Sequence, residues 1–288
     1  MTRQQTSVPA QQQQPPGATG EMTPRPRDEM RDYEGRGLLQ DKRALITGGD
    51  SGIGRAVAAA FAKEGADVAI VYFGDSEDDD ARHTAGLVTA QQRRCSLHKG
   101  DLGSRSECEH LVTEVAGELG GIDLLVNHAG TQAVESDFTE ITDEQFDRTF
   151  KVNVYAPFWV IRAALPHMGD GGSIINTGSV NGLRGNKSMM DYSASKSAVH
   201  TLTKSLAQSF AGRGIRVNCV APGPVWTPLI PSTMPAEKVE GFGEQAPMGR
   251  RGEPDEIAPS YVFFAADRLS SYYTGEVFAP VGGETHPG

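Results

Sequence analysis

The chain has 288 residues, 38% of them hydrophobic, with 34 glycines, which suits one large globular domain or a domain with a tail. Against 37 acidic residues stand 27 basic ones, a net charge of −10 that disfavours nucleic-acid binding by phosphate neutralisation and docking on membranes through a basic face. No apolar run approaches the ~20 residues of a membrane span, and residues 1–16 lack the apolar core of a signal peptide, so a cytoplasmic location is expected. Cys95, Cys108 and Cys219 show no CxxC spacing and read as reduced, buried thiols rather than metal ligands.

Residues 1–40 differ from the rest. They hold the run Gln11–Gln14, several prolines and the mixed charges Arg25, Arg27, Asp28 and Glu29, with few apolar side chains to offset the entropy of ordering. A tail is expected, partly disordered, flexible to about residue 25 and docked thereafter through Tyr33, Leu38 and Leu39.

From residue 41 to 288 strands and helices alternate. Strands are predicted over 42–47, 67–73, 96–99, 122–126, 173–176, 215–220 and 276–280. Helices are predicted over 53–64, 78–92, 104–119, 143–165, 190–211 and 254–266. In the first of these Val57, Ala60, Phe61 and Glu64 keep helical spacing and Gly65 marks the end. The fold class is therefore α/β: a doubly wound, Rossmann-type domain with a mainly parallel seven-stranded sheet and helices on both faces. Such sheets bind ligands outside the carboxyl ends of their strands. The proline- and glycine-rich stretch 224–252 reads as a lid over those ends. Its Trp226, Met234, Phe242 and Met248 fit either an apolar pocket or ordinary lid packing.

Two motifs carry chemistry. Thr47-Gly48-Gly49-Asp50-Ser51-Gly52-Ile53-Gly54 joins the first strand to the first helix, and its glycines allow a tight turn with backbone N–H groups free to meet a pyrophosphate. The spacing is GxxxGxG rather than GxGxxG. In Tyr192-Ser193-Ala194-Ser195-Lys196, the phenol and the ammonium lie at i, i+4 on one helix face. A nearby ammonium favours a phenolate, so the phenol is expected to exchange a proton with an alcohol or carbonyl oxygen.

Taken with Ser179, thirteen residues before Tyr192, these motifs resemble the short-chain dehydrogenase/reductase family. Asn127-His128-Ala129-Gly130 resembles its NNAG motif, Asn153 its helix asparagine, and Pro222-Gly223-Pro224-Val225-Trp226-Thr227 its PG motif with a downstream threonine. The likeness runs from 41 to 284. The tail before ITGGDSGIG further resembles a bacterial subgroup with N-terminal extensions.

The resemblance implies a hydride-transferring enzyme that uses NAD or NADP on a small carbonyl or alcohol substrate. Tyr192 is the implied general acid/base. Lys196 tunes it and binds the ribose, Ser179 holds the substrate oxygen, and Asn153 holds a water leading from Lys196 to solvent. Gly48, Asp50, Ser51, Gly52, Ile53 and Gly54 are implied around the phosphates, and Tyr72 at the end of the second strand. Asp101 and Leu102 belong to the adenine, Asn127, Ala129 and Gly130 to its ribose. Pro222, Gly223, Val225 and Thr227 belong to the nicotinamide carboxamide. Trp226 is placed beside the nicotinamide as a substrate contact. A homotetramer is implied through helix pairs and the C-terminal strand.

Plainer readings stand beside these. Asn127 serves equally to tie strand ends together, Asp101 to cap a helix, and Asn153 as a satisfied polar residue. His128 replaces an asparagine of the motif and reads as a position defined by its backbone. No acid or arginine stands in Val71-Tyr72-Phe73-Gly74, and the acids Asp75 and Glu77 to Asp80 read as a solvated helix start, so the choice between NAD and NADP stays open. Two rival functions use the same motifs: a dinucleotide-binding sensor or scaffold, and a non-redox epimerase or dehydratase.

Overall fold

Runs of β-branched and aliphatic residues, buried on both faces, make the central strands of the sheet. In the computed structural model, which describes residues 7–284, the strands are β1 (Arg43–Thr47), β2 (Asp67–Tyr72), β3 (Cys95–Lys99), β4 (Ile122–Asn127), β5 (Met168–Thr177), β6 (Arg216–Val220) and β7 (Val277–Phe278). All six pairings are parallel, in the order β3-β2-β1-β4-β5-β6-β7. The order reverses between β1 and β4, which pair from Ala44↔Leu124 to Thr47↔Asn127, so a crevice opens at their carboxyl ends.

The helices, in chain order, are α1 (Gly52–Lys63), α2 (Asp78–Thr89), α3 (Arg105–Leu119), α4 (Asp143–Phe150), α5 (Ala156–Ala164) and α6 (Val180–Arg184). There follow α7 (Met190–Phe210), α8 (Leu229–Thr233), α9 (Ala236–Val239), α10 (Pro254–Ala265) and α11 (Asp267–Ser270). One core layer joins the sheet to α1, α2 and α10 through Val57, Phe61, Val88, Ile257 and Tyr261. The other joins it to α3, α5 and α7 through Val112, Val115, Val160, Ile161 and Ala207. Burying each of these larger side chains contributes roughly 1.5–3 kcal/mol.

The helix predicted over 143–165 is interrupted. A π-helical turn, Lys151–Tyr155, separates α4 from α5. Pro157, at the start of α5, has no N–H to give the carbonyl four residues back, and the wider turn absorbs that missing bond. Strand β5 begins five residues before the predicted 173, and β7 is shorter than the predicted 276–280. The segment 224–252, expected to be a lid, carries two short helices, α8 and α9, and is closed at its base by the bridge between Val225 and Gly252.

The N-terminal segment departs most from expectation. Docking does not begin near residue 25: Val8 and Met22 are already buried, packed with Trp226, Ile230 and Val239. Apolar side chains are few in this stretch, but backbone groups supply the missing attachment, as in Gln13 N–H to Pro231 O at 2.8 Å and Gly241 N–H to Val8 O at 3.0 Å. The later anchors sit as expected, with Leu39 buried and Tyr33 and Leu38 packed on the same core. The Glu64 carboxylate accepts from the amides of Arg36 and Leu38 at 2.8 and 2.9 Å. Among the described residues no helix is long and apolar enough to cross a membrane.

Candidate active site

A cavity of about 560 Å³ lies at the carboxyl ends of the strands. Its wall includes the glycine loop, Tyr72 and Phe73 after β2, Asp101 and Leu102 after β3, and Ala129 and Gly130 after β4. Ser179, Tyr192 and Lys196 close one end, and Pro222, Gly223, Val225 and Thr227 another side.

The glycine loop turns at Gly48, whose φ of +67° suits a residue without Cβ. A Cβ on Gly54 would run into the Gly48 carbonyl oxygen, so Gly54 acts by letting α1 approach the turn and does not itself line the cavity. Asp50, Ser51, Gly52 and Ile53 do line it. Ser51 stands at the N-cap of α1 and its side chain makes no capping bond, which leaves the first-turn amides as an anion site. Beneath the loop, buried Arg55 donates from Nε and Nη2 to the Asp50 carbonyl at 3.1 and 2.9 Å. Asp28 of the N-terminal segment pairs with the same guanidinium at 3.1 Å, and Asp80 pairs with it from α2.

Helical spacing on α7 puts Tyr192 and Lys196 on one buried face. Lys196 Nζ lies 5.7 Å from the centre of the Tyr192 ring and donates to the Thr177 carbonyl at 2.9 Å. Burial lowers the Lys196 pKa to about 8, opposed by the Cys219 thiolate form. Burial holds the Tyr192 phenol above its ordinary range, and the hydrogen bond with Ser179 offsets only part of that rise. The electrostatic balance thus differs from the sequence argument: burial comes first, and the hydroxyl of Ser179, not the ammonium, provides the counterweight. Ser179 Oγ also caps α6, accepting from Asn181 N–H at 3.1 Å, which fixes it at the helix start.

Asn153 occupies the π turn and is buried behind Thr131 rather than lining the cavity. Its Nδ2 donates to Thr131 O at 2.8 Å and Ser195 Oγ at 3.0 Å, and its Oδ1 accepts Thr131 N–H at 2.8 Å. A Cβ on Gly130 would lie 3.3 Å from Asn153 Oδ1 and 3.4 Å from Lys196 Nζ, so the two side chains converge on this glycine. Asn127 is likewise off the cavity wall; its Nδ2 donates to Asn176 Oδ1 at 2.9 Å and ties β4 to β5. Thr47 Oγ1 accepts the amides of His128 and Ala129 at 3.0 and 3.1 Å, which sets the turn that presents Ala129 and Gly130. His128 places Nδ1 3.2 Å from Thr177 Oγ1, and burial, with the Lys196 charge, pushes its pKa down to about 3.

Asp101 lines the cavity and also pairs with Arg148 at 2.8 Å while accepting Gly103 N–H at 2.9 Å. Burial works to raise its carboxyl, but these two partners hold it below the ordinary range. Tyr72 donates its hydroxyl to Asp78 Oδ1 at 2.9 Å.

Trp226 is misplaced by the sequence reading. Its ring is fully buried away from the cavity, beside Phe242 and under the Arg251 guanidinium, and Nε1–H donates to Pro24 O at 2.7 Å. It anchors the N-terminal segment to the lid, a partner that local sequence cannot reveal. Met248 is exposed and also off the cavity, whereas Met234 and Phe242 line it.

Several wall residues escaped the motifs. Glu77 turns inward from the acidic run: its carboxylate accepts the amides of Phe73 and Gly74 at 2.7 and 3.2 Å. Burial, then the nearby Asp50, raises its pKa to about 7. Only the presence of acids shortly after β2 signals it. Arg148, Gln132, Asn181 and Arg184 join the wall through tertiary packing, as do Pro15 and Pro16.

A family model described as "Enoyl-(Acyl carrier protein) reductase" matches residues 48–285. General stress protein 39 of Bacillus subtilis (strain 168) is 48% identical over 277 residues, covering 96% of each chain. The chloroplastic NADPH-dependent aldehyde reductase 1 of Arabidopsis thaliana is 46% identical, over 93% of this chain and 94% of its own. Among solved structures, a blue fluorescent protein from a metagenomic library in complex with NADPH superposes with a TM-score of 0.79 at 34% identity, covering 85% of this chain and 98% of its own. A match spanning the glycine loop, helix α7 and the closing strand, on the same parallel sheet, leaves one conclusion: the chain belongs to the short-chain dehydrogenase/reductase family of oxidoreductases.

Proposed function

We propose that the protein is an NAD(P)-dependent oxidoreductase that interconverts an aldehyde or ketone with an alcohol, using Tyr192 as general acid/base. The observation that carries this reading is that Tyr192, Ser179 and Lys196 line one cavity together with the uncapped N-terminus of α1. The cleft fits a dinucleotide: the turn at Gly48 packs so closely on Ala129, whose backbone a Cβ would meet at 3.0 Å, that only glycine suits it, and the first-turn amides of α1 have no side-chain cap and can meet a phosphate. When bound, the nicotinamide supplies or accepts the hydride.

The protein's own groups do the rest. Pro222, Gly223, Val225 and Thr227 orient the nicotinamide end, and Asp101 and Leu102 border the adenine end. Ser179 Oγ–H donates to the substrate oxygen as charge develops on it. Tyr192 Oη–H delivers the proton that turns that oxygen into a hydroxyl, and takes it back in the reverse direction. Ser179 Oγ–H stabilises the phenolate left behind, while Lys196, held by the Thr177 carbonyl 5.7 Å from the centre of the phenol ring, meets the ribose. Asn153 keeps Thr131 and Ser195 in place behind the ammonium, so it is a positioning residue.

Gln132, Asn181 and Arg184 share the wall with Met189 and Met234, a mixed lining that favours a carbonyl compound carrying polar groups over a purely apolar one. The segment 224–252 serves as the lid over it. A cytoplasmic site of action is part of the same proposal.

Replacing Tyr192→Phe removes the transferable proton while keeping the ring. Turnover should fall by about 10²–10⁴-fold. Dinucleotide binding, read by fluorescence titration, should stay near wild type. Undiminished turnover in that variant would sink the mechanism.

A further inference from the structure

The N-terminal segment crosses the cleft instead of leaving the body. Gln13 is fastened to the lid through Pro231 O at 2.8 Å, and Thr19 N–H donates to Asp80 Oδ2 of α2 at 2.9 Å. Between these two anchors, Pro15 and Pro16 line the cavity. Gly17, at φ +84°, packs so closely on the start of α8 that a Cβ would lie 2.7 Å from Pro228 O and 2.9 Å from Ser232 Cβ. The glycine loop lies next to this patch of lid, since a Cβ on Gly52 would meet Thr227 Cγ2 at 2.9 Å. Farther along, Asp28 grips the Arg55 guanidinium that holds the Asp50 carbonyl of the same loop.

We propose that residues 13–19 form a wall of the dinucleotide site, with Pro15 and Pro16 closing the cleft beside the glycine loop and keeping water from the bound pyrophosphate. The proposal rests on the reading of the cleft as a dinucleotide site. Two consecutive prolines carry neither charge nor N–H, and their fixed φ makes the wall stiff. Excluding water lowers the local dielectric and strengthens the bonds between the α1 amides and the phosphates. A segment anchored at both ends must also lift before the dinucleotide leaves, so it slows release. Its fastening to the lid on one side and to α2 on the other makes it a strap across the site, and places both sides of the cleft under one constraint.

The test uses the full chain. Gly17→Val adds a branched side chain at a left-handed φ and against the lid, which forces the strap off α8 while leaving the glycine loop and Tyr192 intact. Gly20→Ala is the control, because nothing lies within 4 Å of a Cβ there. Dissociation constants and release rates of NADH and NADPH are measured for the three proteins, together with hydrogen exchange of the amides of residues 11–20. The Gly17→Val protein should exchange these amides faster and bind dinucleotide about tenfold more weakly, mainly through faster release. The Gly20→Ala protein should match wild type within about twofold. If exchange quickens in the Gly17→Val protein and affinity and release stay at wild-type values, the strap is no part of the site and the proposal falls alone. Unchanged exchange would refute the close packing on α8 from which it is argued. If wild type binds neither dinucleotide, the reading of the cleft falls and the proposal with it.

Discussion

Ser179 N–H donates to His200 Nε2 at 3.3 Å, so that nitrogen must be unprotonated and the imidazole neutral. Burial first, then the charges of Lys196 and Lys204, lower the His200 pKa to about 4, and His128 is lowered to about 3. Both rings are neutral in the folded protein at a pH where the unfolded chain takes up protons, below about 6.5. Their contribution to stability is therefore full above pH 6.5 and is lost progressively as pH falls from there to about 4 for His200 and about 3 for His128. Urea unfolding between pH 7 and 4.5 should show a falling midpoint, and His200→Gln, which cannot titrate, should flatten that slope. An equal slope in the variant would remove His200 as a cause. At this scale the motifs were informative about Ser179, Tyr192 and Lys196, because their chemistry depends on spacing within one helix and on one nearby turn. They misjudged Trp226, whose partner Pro24 is about two hundred residues away.

The π turn before α5 is the element whose form places Asn153. Hydrophobic spacing alone predicts an unbroken helix over 143–165, since the period of the pattern changes little across one wide turn. The wide turn places Asn153 where it can close three hydrogen bonds, with the Thr131 amide, the Thr131 carbonyl and Ser195 Oγ. Asn153→Ala leaves both Thr131 backbone groups without those partners and should destabilise the protein by about 1–3 kcal/mol. The expected readout is a lower urea midpoint and a turnover loss through displacement of Lys196, with Asn153→Asp intermediate because it retains an acceptor. A variant as stable and active as wild type would mean that the turn is held by Pro157 and the core alone.

At the scale of the whole molecule, two groups of aromatic side chains stand out among the exposed apolar residues. Phe146, Tyr155 and Phe158 on the α4–α5 side are each close to half exposed, and Tyr273 and Phe278 beside β7 likewise. Such patches mark association surfaces. We expect a homotetramer that uses both, visible by light scattering as four times the chain mass. Phe158→Glu should shift the mass to a smaller species, and a wild-type monomer at working concentration would contradict the assembly.

The alternating α/β order, the strand count, the glycine loop and the spacing of Tyr192, Lys196 and Ser179 are legible in the chain without its fold. Each of these depends on local periodicity or on residues a few positions apart. Tertiary packing alone turns Glu77 onto backbone amides and Asp80 onto Arg55 while Asp75 and Asp79 stay exposed, takes Trp226 away from the site, and lays the N-terminal segment across the cleft. The physical reason is common to all three. A carboxylate finds buried backbone amides, an indole finds a carbonyl, and a chain poor in apolar side chains finds backbone partners on the lid. None of these partners is near in sequence except in the case of Glu77, where the choice between amides and water is made by burial, which no local pattern encodes.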